Sequence, residues 1–170
     1  KARQQGVTVV LNAAPIQALP ADLLQSIDIL VVNEGELASL SGHAGTIAEC
    51  LERIDVPTVV VTLGHRGCCA RFEGKFLVQP ACAINPVDST GAGDTFCGSL
   101  VAALSDGAGM SQALALAGAA GALACTRLGA QSSIPHQAEV AAFLAQQPPK
   151  DAAAMLALAT YCGLQAGTFS

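Results

Sequence analysis

Three unbroken aliphatic runs mark the first 64 residues: VTVVLN at 7–12, DILVVN at 28–33 and TVVVTLG at 58–64. None alternates between apolar and polar positions, as a strand with one wet face would. Continuous runs of this length predict strands buried on both faces, the habit of a parallel sheet covered by helices. The segments between them have helical character. LPADLLQSI (19–27) is a proline followed by helix formers and predicts a short helix. EGELASLSG (34–42) begins with acids that suit a helix N-terminus and ends on Gly42, a C-cap residue. TIAECLERI (46–54) is amphipathic at helical spacing.

The rhythm then changes. CCARFEG and KFLVQP flank Glu73-Gly74, a two-residue turn between short strands, and predict a β-hairpin. ACAINPV leads into the polar stretch PVDSTGAGDTF at 86–96. Three helices follow: DTFCGSLVAALSDG (94–107), with Phe96, Leu100, Val101 and Leu104 on one face, the Ala-rich MSQALALAGAAGALACTRLG (110–129), and HQAEVAAFLAQ (136–146). A βαβαβ order, a hairpin and then helices predict an α/β fold whose sheet is mostly parallel with an antiparallel part. Residues 1–145 form the main unit of this reading. QQPPK at 146–150 reads as a linker, and the apolar segment after it, to residue 170, has no evident partner in the pattern. The chain opens close to a buried strand with no strand before it, an unusual start for a self-contained domain.

Composition narrows the function classes. The 170 residues are 52% hydrophobic and 12% charged, enough apolar material for a sizeable core. A net charge of −5 argues against a nucleic-acid surface, and no Trp, one Tyr and five Phe leave little for base stacking. No apolar run approaches the ~20 residues of a membrane span, and no signal peptide opens the sequence. The seven cysteines form no CxxC pair and are odd in number, which predicts buried free thiols in a reducing, cytoplasmic setting.

The polar stretch remains to be explained. In open α/β sheets ligands bind beyond the carboxyl ends of the strands, where this stretch falls. Gly91, Ala92 and Gly93 at a helix N-terminus would present free amides to an anion such as a phosphate, with glycine letting the backbone approach closely. Asp94 follows in the first turn. The plainer reading is a tight turn with Asp94 as a dipole partner, worth roughly 0.3–1 kcal/mol. Neither a GxxxxGK[ST] loop nor a GxGxxG fingerprint is present, because Phe96 stands where the last glycine would be.

The longer motif DSTGAGDTFCGSL resembles the second signature of the ribokinase-like, or PfkB-type, carbohydrate kinases, D-[ST]-[ST]-[GA]-A-G-D-x-F. Three further segments agree in order: LNAAPIQALPADLLQSIDILVVNEGELASLSG, containing an NxxE pair at Asn33 and Glu36, then VVVTLGHRGCCAR, and TRLGAQSSIP, which is similar to the ribokinase branch in particular. The resemblance covers about residues 1–145 and implies a three-layer α/β/α sandwich, of which this chain looks like the C-terminal half. It implies transfer of the γ-phosphoryl of ATP to a sugar hydroxyl, with the 5-hydroxyl of D-ribose favoured. Other sugars or nucleosides, or a non-catalytic nucleotide-binding fragment, stand as alternatives.

Carried over by position, the resemblance makes Asp94 the base and Gly91, Ala92 and Gly93 the anion hole. It gives Asn33 and Glu36 a role in orienting Mg²⁺ and phosphate through water, although Glu36 alone reads as a solvated acid at a helix start. Thr62, Leu63, Gly64, His65, Arg66, Gly67 and Gly118 would line the ATP groove, whereas His65 alone reads as an exposed loop residue. Asp88, Thr90, Ala124, Arg127, Gly129 and Ser133 match the positions around the family's K⁺, and Asp88 alone reads as an Asx turn. The family's sugar-binding GGKxxN motif and the β lid through which ribokinases form homodimers have no counterpart in these residues.

Overall fold

Among the described residues, five strands form one sheet in the order β1 (Val10–Asn12), β2 (Ile29–Asn33), β3 (Thr58–Thr62), β4 (Gly67–Phe72) and β5 (Lys75–Pro80). The first three run parallel, and β4 and β5 close the sheet as an antiparallel hairpin. This computed structural model describes residues 2–15, 17, 19–148 and 151–170. Lys1 and the last two residues of the QQPPK linker lie outside the described residues.

The apolar runs of β2 and β3 bury both faces of the sheet, whereas β1, expected to be buried as well, is only half-buried. Leu30, Val32, Val59, Val61, Cys69 and Val78 pack against a layer containing α2 (Glu34–Ser41) and α3 (Ile47–Glu52). The alternate residues Ile29, Val31, Val60, Cys68 and Ala70 pack against α4 (Ala92–Ser105) and α5 (Met110–Ala124). Ala113, Ala117 and Ala120 on α5 are fully buried, and such small side chains let helices approach closely. The other helices are α1 (Ala21–Leu24), α6 (Gln137–Gln146) and α7 (Ala152–Tyr161).

Helix starts follow the local sequence. Asn33 and Glu36 form a reciprocal capping box on α2, as do Thr46 and Glu49 on α3. Gly42 adopts the left-handed conformation expected of a C-cap. Arg71 on β4 reaches under α3 and donates to the carbonyls of Leu51, Ile54 and Val56 at 2.7–3.0 Å, satisfying acceptors at the helix end.

Several boundaries differ from the sequence pattern. The strand expected at 7–12 begins at Val10, because the amide of Val9 donates to the Asp28 carboxylate (2.8 Å) and Val7 is exposed. The helix expected at 19–27 is a single turn, Ala21–Leu24, with no buried residue to hold it longer. The helix expected at 110–129 stops at Ala124, because the Cys125 carbonyl accepts from Val87 and Asp88 and the Thr126 hydroxyl donates back to Leu123.

The apolar segment after the linker has a partner. Leu158, Ala159, Cys162 and Leu164 complete the core beneath α2, α3 and β5. The Cys162 carbonyl accepts from the Ala48 amide (2.9 Å), and Ser170 exchanges backbone bonds with Phe76 and Val78 along the edge of β5. The Cys69 and Cys162 thiols meet there, and their hydrogen bond, together with burial, pushes the Cys69 thiol far above the ordinary thiol range. Cys50 and Cys68 are buried as well, while Cys82, Cys97 and Cys125 are only half-buried. Among the described residues no helix is long and apolar enough to cross a membrane.

Candidate active site

The carboxyl ends of β1, β2 and β3 carry Asn12, Asn33 and Thr62; Asn33 pairs directly with Thr62, and Asn12 stands opposite Val31, two positions before Asn33. The N-terminus of α4 faces the same end. Gly91 caps it with φ +76°, a conformation that disfavours any side chain, and a Cβ there would sit 3.1 Å from Ala130. The helix begins at Ala92, two residues before the sequence pattern suggests, so Asp94 lies in its first turn with its carboxylate exposed. Asn12 Nδ2 lies 3.4 Å from Asp94 Oδ1, which ties the end of β1 to the start of α4. Asn12 was not singled out from the sequence. The signal was there in a polar residue closing a buried strand at its carboxyl end.

Beside this corner is a cavity of about 480 Å³. Thr62, Gly64, His65 and Gly67 form one wall, and Ala92, Gly93 and Gly118 contribute to the other. Seven of the expected site residues therefore share one space. Phe96, Cys82 and Cys125 also line it, which explains why those two thiols are only half-buried. Burial pushes both thiols upward, and Asp88 adds to the effect at Cys125. The backbone crosses closely at Gly67, where φ is +114° and a Cβ would collide with the backbone of Gln79, Pro80 and Ala81.

Two expected groove residues stand elsewhere. Leu63 turns its side chain into the core on the opposite face of the sheet and is 3% exposed. Arg66 lies outside the cavity, with its guanidinium stacked 4.3 Å above the ring of Tyr161. Asn33 and Glu36 are engaged with each other: the Asn33 amide donates to Glu36 Oε2 (2.7 Å), and Asn33 Oδ1 accepts from the Glu36 amide (2.9 Å). Glu36 is thus buried, which corrects its reading as a solvated acid.

Behind the corner, Asp88 organises the loops. Its Oδ1 accepts from the Thr90 amide (2.9 Å) and hydroxyl (2.7 Å), and its Oδ2 accepts from the Gly129 amide (3.0 Å). The Thr90 hydroxyl, then the amides of Gly129 and Thr90, hold the Asp88 carboxyl below the ordinary carboxylate range. Ala124 accepts from the Arg127 amide, and the buried Ser133 donates to the Ala130 carbonyl (3.0 Å). The Arg127 guanidinium pairs with Glu139 at 2.6 Å, which turns its charge toward α6. Among the described residues no three His, Cys, Asp or Glu side chains cluster as a metal site.

A sequence profile of the pfkB family carbohydrate kinases matches residues 1–137. The chain belongs to that family. It is 38% identical over 150 residues to a ribokinase of Haemophilus influenzae, covering 84% of this chain and 49% of the relative. The structure resembles that of Thermotoga maritima ribokinase with a TM-score of 0.80 at 36% identity, covering 85% of this chain and 51% of that one. It also resembles Arabidopsis thaliana ribokinase solved with ribose and ATP, with a TM-score of 0.76 at 35% identity over 83% and 48% of the two chains. The chain spans about half the length of the curated relatives it matches.

Proposed function

We propose that these residues carry the nucleotide and phosphoryl-transfer site of an ATP-dependent sugar kinase, with D-ribose phosphorylated at its 5-hydroxyl. The observation that carries this reading is the placement of Asp94 in the first turn of α4, within reach of Asn12 and beside the 480 Å³ cavity. The cavity's small-residue walls suit a flat, largely apolar base, and the α4 amides at its inner end suit phosphate. Asp94 acts as base, taking the proton of the sugar hydroxyl, and Asn12 orients its carboxylate. Gly91, Ala92 and Gly93 hold the transferring phosphoryl through backbone amides aimed at the developing charge, the Ala92 amide leaving the Ser89 carbonyl to which it donates at 3.2 Å.

The Asn33–Glu36 pair fits a water-mediated Mg²⁺ role, since Mg²⁺ keeps several waters and takes few carboxylates. Bound Mg²⁺ would neutralise phosphate charge during transfer. The loops joined by Asp88 fit a K⁺ site of carbonyl and carboxylate oxygens drawn from Asp88, Thr90, Ala124, Arg127, Gly129 and Ser133. There the cation would stiffen the corner behind the anion hole.

The test is coupled ADP release from ATP·Mg²⁺ and ribose in K⁺ buffer, using residues 1–170 with and without a ribokinase N-terminal half. Residues 1–170 alone are expected to bind ATP weakly and to leave ribose unphosphorylated, and the added half to give turnover, because positioning supplies much of the rate. Ribose-dependent ADP release by the 170 residues alone would show that they hold a sugar site. No turnover under any condition, with ATP still bound, favours the non-catalytic reading, and turnover confined to another sugar or a nucleoside reassigns the acceptor.

A further inference from the structure

Tyr161, the last residue of α7, lies beyond the stretch matched by the family profile, which ends at residue 137. It nevertheless touches two elements of the candidate site. Its ring supports the Arg66 guanidinium at 4.3 Å, and its hydroxyl donates to Glu34 Oε1 at 2.6 Å. Arg66 sits between His65 and Gly67, both of which line the cavity. Glu34 opens α2, directly after Asn33. The ring itself is not free to wander. Leu158, Ala159 and Cys162 bury the end of α7, and the Cys162 carbonyl is bonded to the Ala48 amide. The guanidinium also lies at the C-terminal end of α7, where the helix dipole favours a cation.

We propose that Tyr161 is a positioning residue for the nucleotide site: it fastens the turn Gly64–Arg66 to the start of α2 and so sets the Thr62–Gly67 wall of the cavity before ATP enters. This rests on the reading of that cavity as the ATP site. A turn fixed in advance loses less freedom when the ligand binds, which shows as affinity. The tail thereby contributes to binding without touching the nucleotide.

The chain offers its own probe. Tyr161 is the one tyrosine and there is no tryptophan, so phenol ionisation in the ultraviolet reports this contact alone. The hydrogen bond to Glu34 raises the Tyr161 hydroxyl above its ordinary value, burial and the Glu34 charge add to that, and Arg66 opposes it. Titration of residues 1–170 should place the midpoint above the free phenol value of about 10 and, in Glu34→Gln, bring it down. A midpoint that Glu34→Gln leaves unchanged overturns the proposal.

The functional arm is an NMR titration with ATP·Mg²⁺ into the millimolar range, following amides 62–67 and 92–93. Tyr161→Ala should weaken binding about three- to tenfold, and Tyr161→Phe, which keeps the ring, by less. Arg66→Ala should match Tyr161→Ala, and the double variant should be no worse than either. Leu156→Ala, an exposed change on the same helix, should leave affinity unaltered. If Tyr161→Ala does not fold, Tyr161→Phe and Arg66→Ala decide the matter. Parent-like affinity in these variants overturns the proposal alone. Absence of ATP-dependent shifts in the parent protein overturns the nucleotide reading, and this proposal with it.

Discussion

The Asp88–Asp94 corner and the Ala152–Ser170 tail are held in place by opposite means. The corner has little apolar burial. Asp94, Gly93, Thr90 and Ser89 are exposed, and its shape comes from one carboxylate accepting from Thr90 and Gly129 and from one glycine at positive φ. The tail has few side-chain hydrogen bonds to the body and depends on Leu158, Ala159, Cys162 and Leu164 filling a gap in the core. Short polar contacts fix direction, which chemistry needs. Apolar burial supplies stability, which is largely indifferent to direction. Substitutions in the two regions should therefore separate: those in the corner alter rate far more than stability and those in the tail alter stability, with Tyr161 the tail residue that reaches the candidate site, through Arg66 and Glu34.

The largest effect should come from Asp94→Asn. In a preparation that turns over ribose, loss of the proposed base should lower kcat on the order of 10²–10⁴-fold. The carboxylate is exposed and its neighbour is a single long contact to Asn12, so the melting temperature should hardly move. Measuring kcat and thermal unfolding on the same samples checks this. A rate loss that merely follows a loss of folded protein would place Asp94 with the stabilising residues and dissolve the contrast.

The same contrast explains what the sequence made legible. The strands at β2 and β3, the hairpin at Glu73-Gly74 and the C-cap at Gly42 all depend on residues within a few positions of one another. The wall of Thr62, Gly64, His65 and Gly67 and the corner at Gly91–Asp94 could be located through motifs of the same local kind. Contacts across long separations could not. The tail's partner, the inward turn of Leu63, the Asn12–Asp94 contact and the stacking of Arg66 on Tyr161 link residues that no local pattern relates. Glu36 falls between the cases: the NxxE spacing was visible, but its capping role and its burial depend on how the helices pack around it.

An intermediate effect is expected in the tail. Leu158 is 4% exposed and packs among the residues beneath α3 and β5. Leu158→Ala should cost about 2–4 kcal/mol, the usual range for a leucine truncated in a core. Chemical unfolding at 25 °C gives the number directly. Tail packing that does not matter would show as a change under about 0.5 kcal/mol, as at an ordinary surface site.

The smallest effect tests whether Asp88 shapes the corner as a charge. Its carboxyl is held below the ordinary range by bonds that favour the ionised form. Because the folded pKa lies below the unfolded one, the stabilisation is present above the unfolded value of about 3.9 and is lost as pH falls through the lower folded value. Asp88→Asn keeps an acceptor for Thr90 but presents an NH₂ group where Oδ2 accepted from Gly129, so the variant should melt slightly below the parent at pH 6. As the parent's own carboxyl protonates, it too presents a donor at that position, and the gap should close toward pH 3. Glu49 and Glu139 are also held below their ordinary range and weaken the fold in acid, but they do so in both proteins and cancel in the difference. Paired melting curves from pH 6 to pH 3 give the answer. A gap of constant size over that span would mean that the corner is set by shape alone and that the Asp88 charge contributes nothing to it.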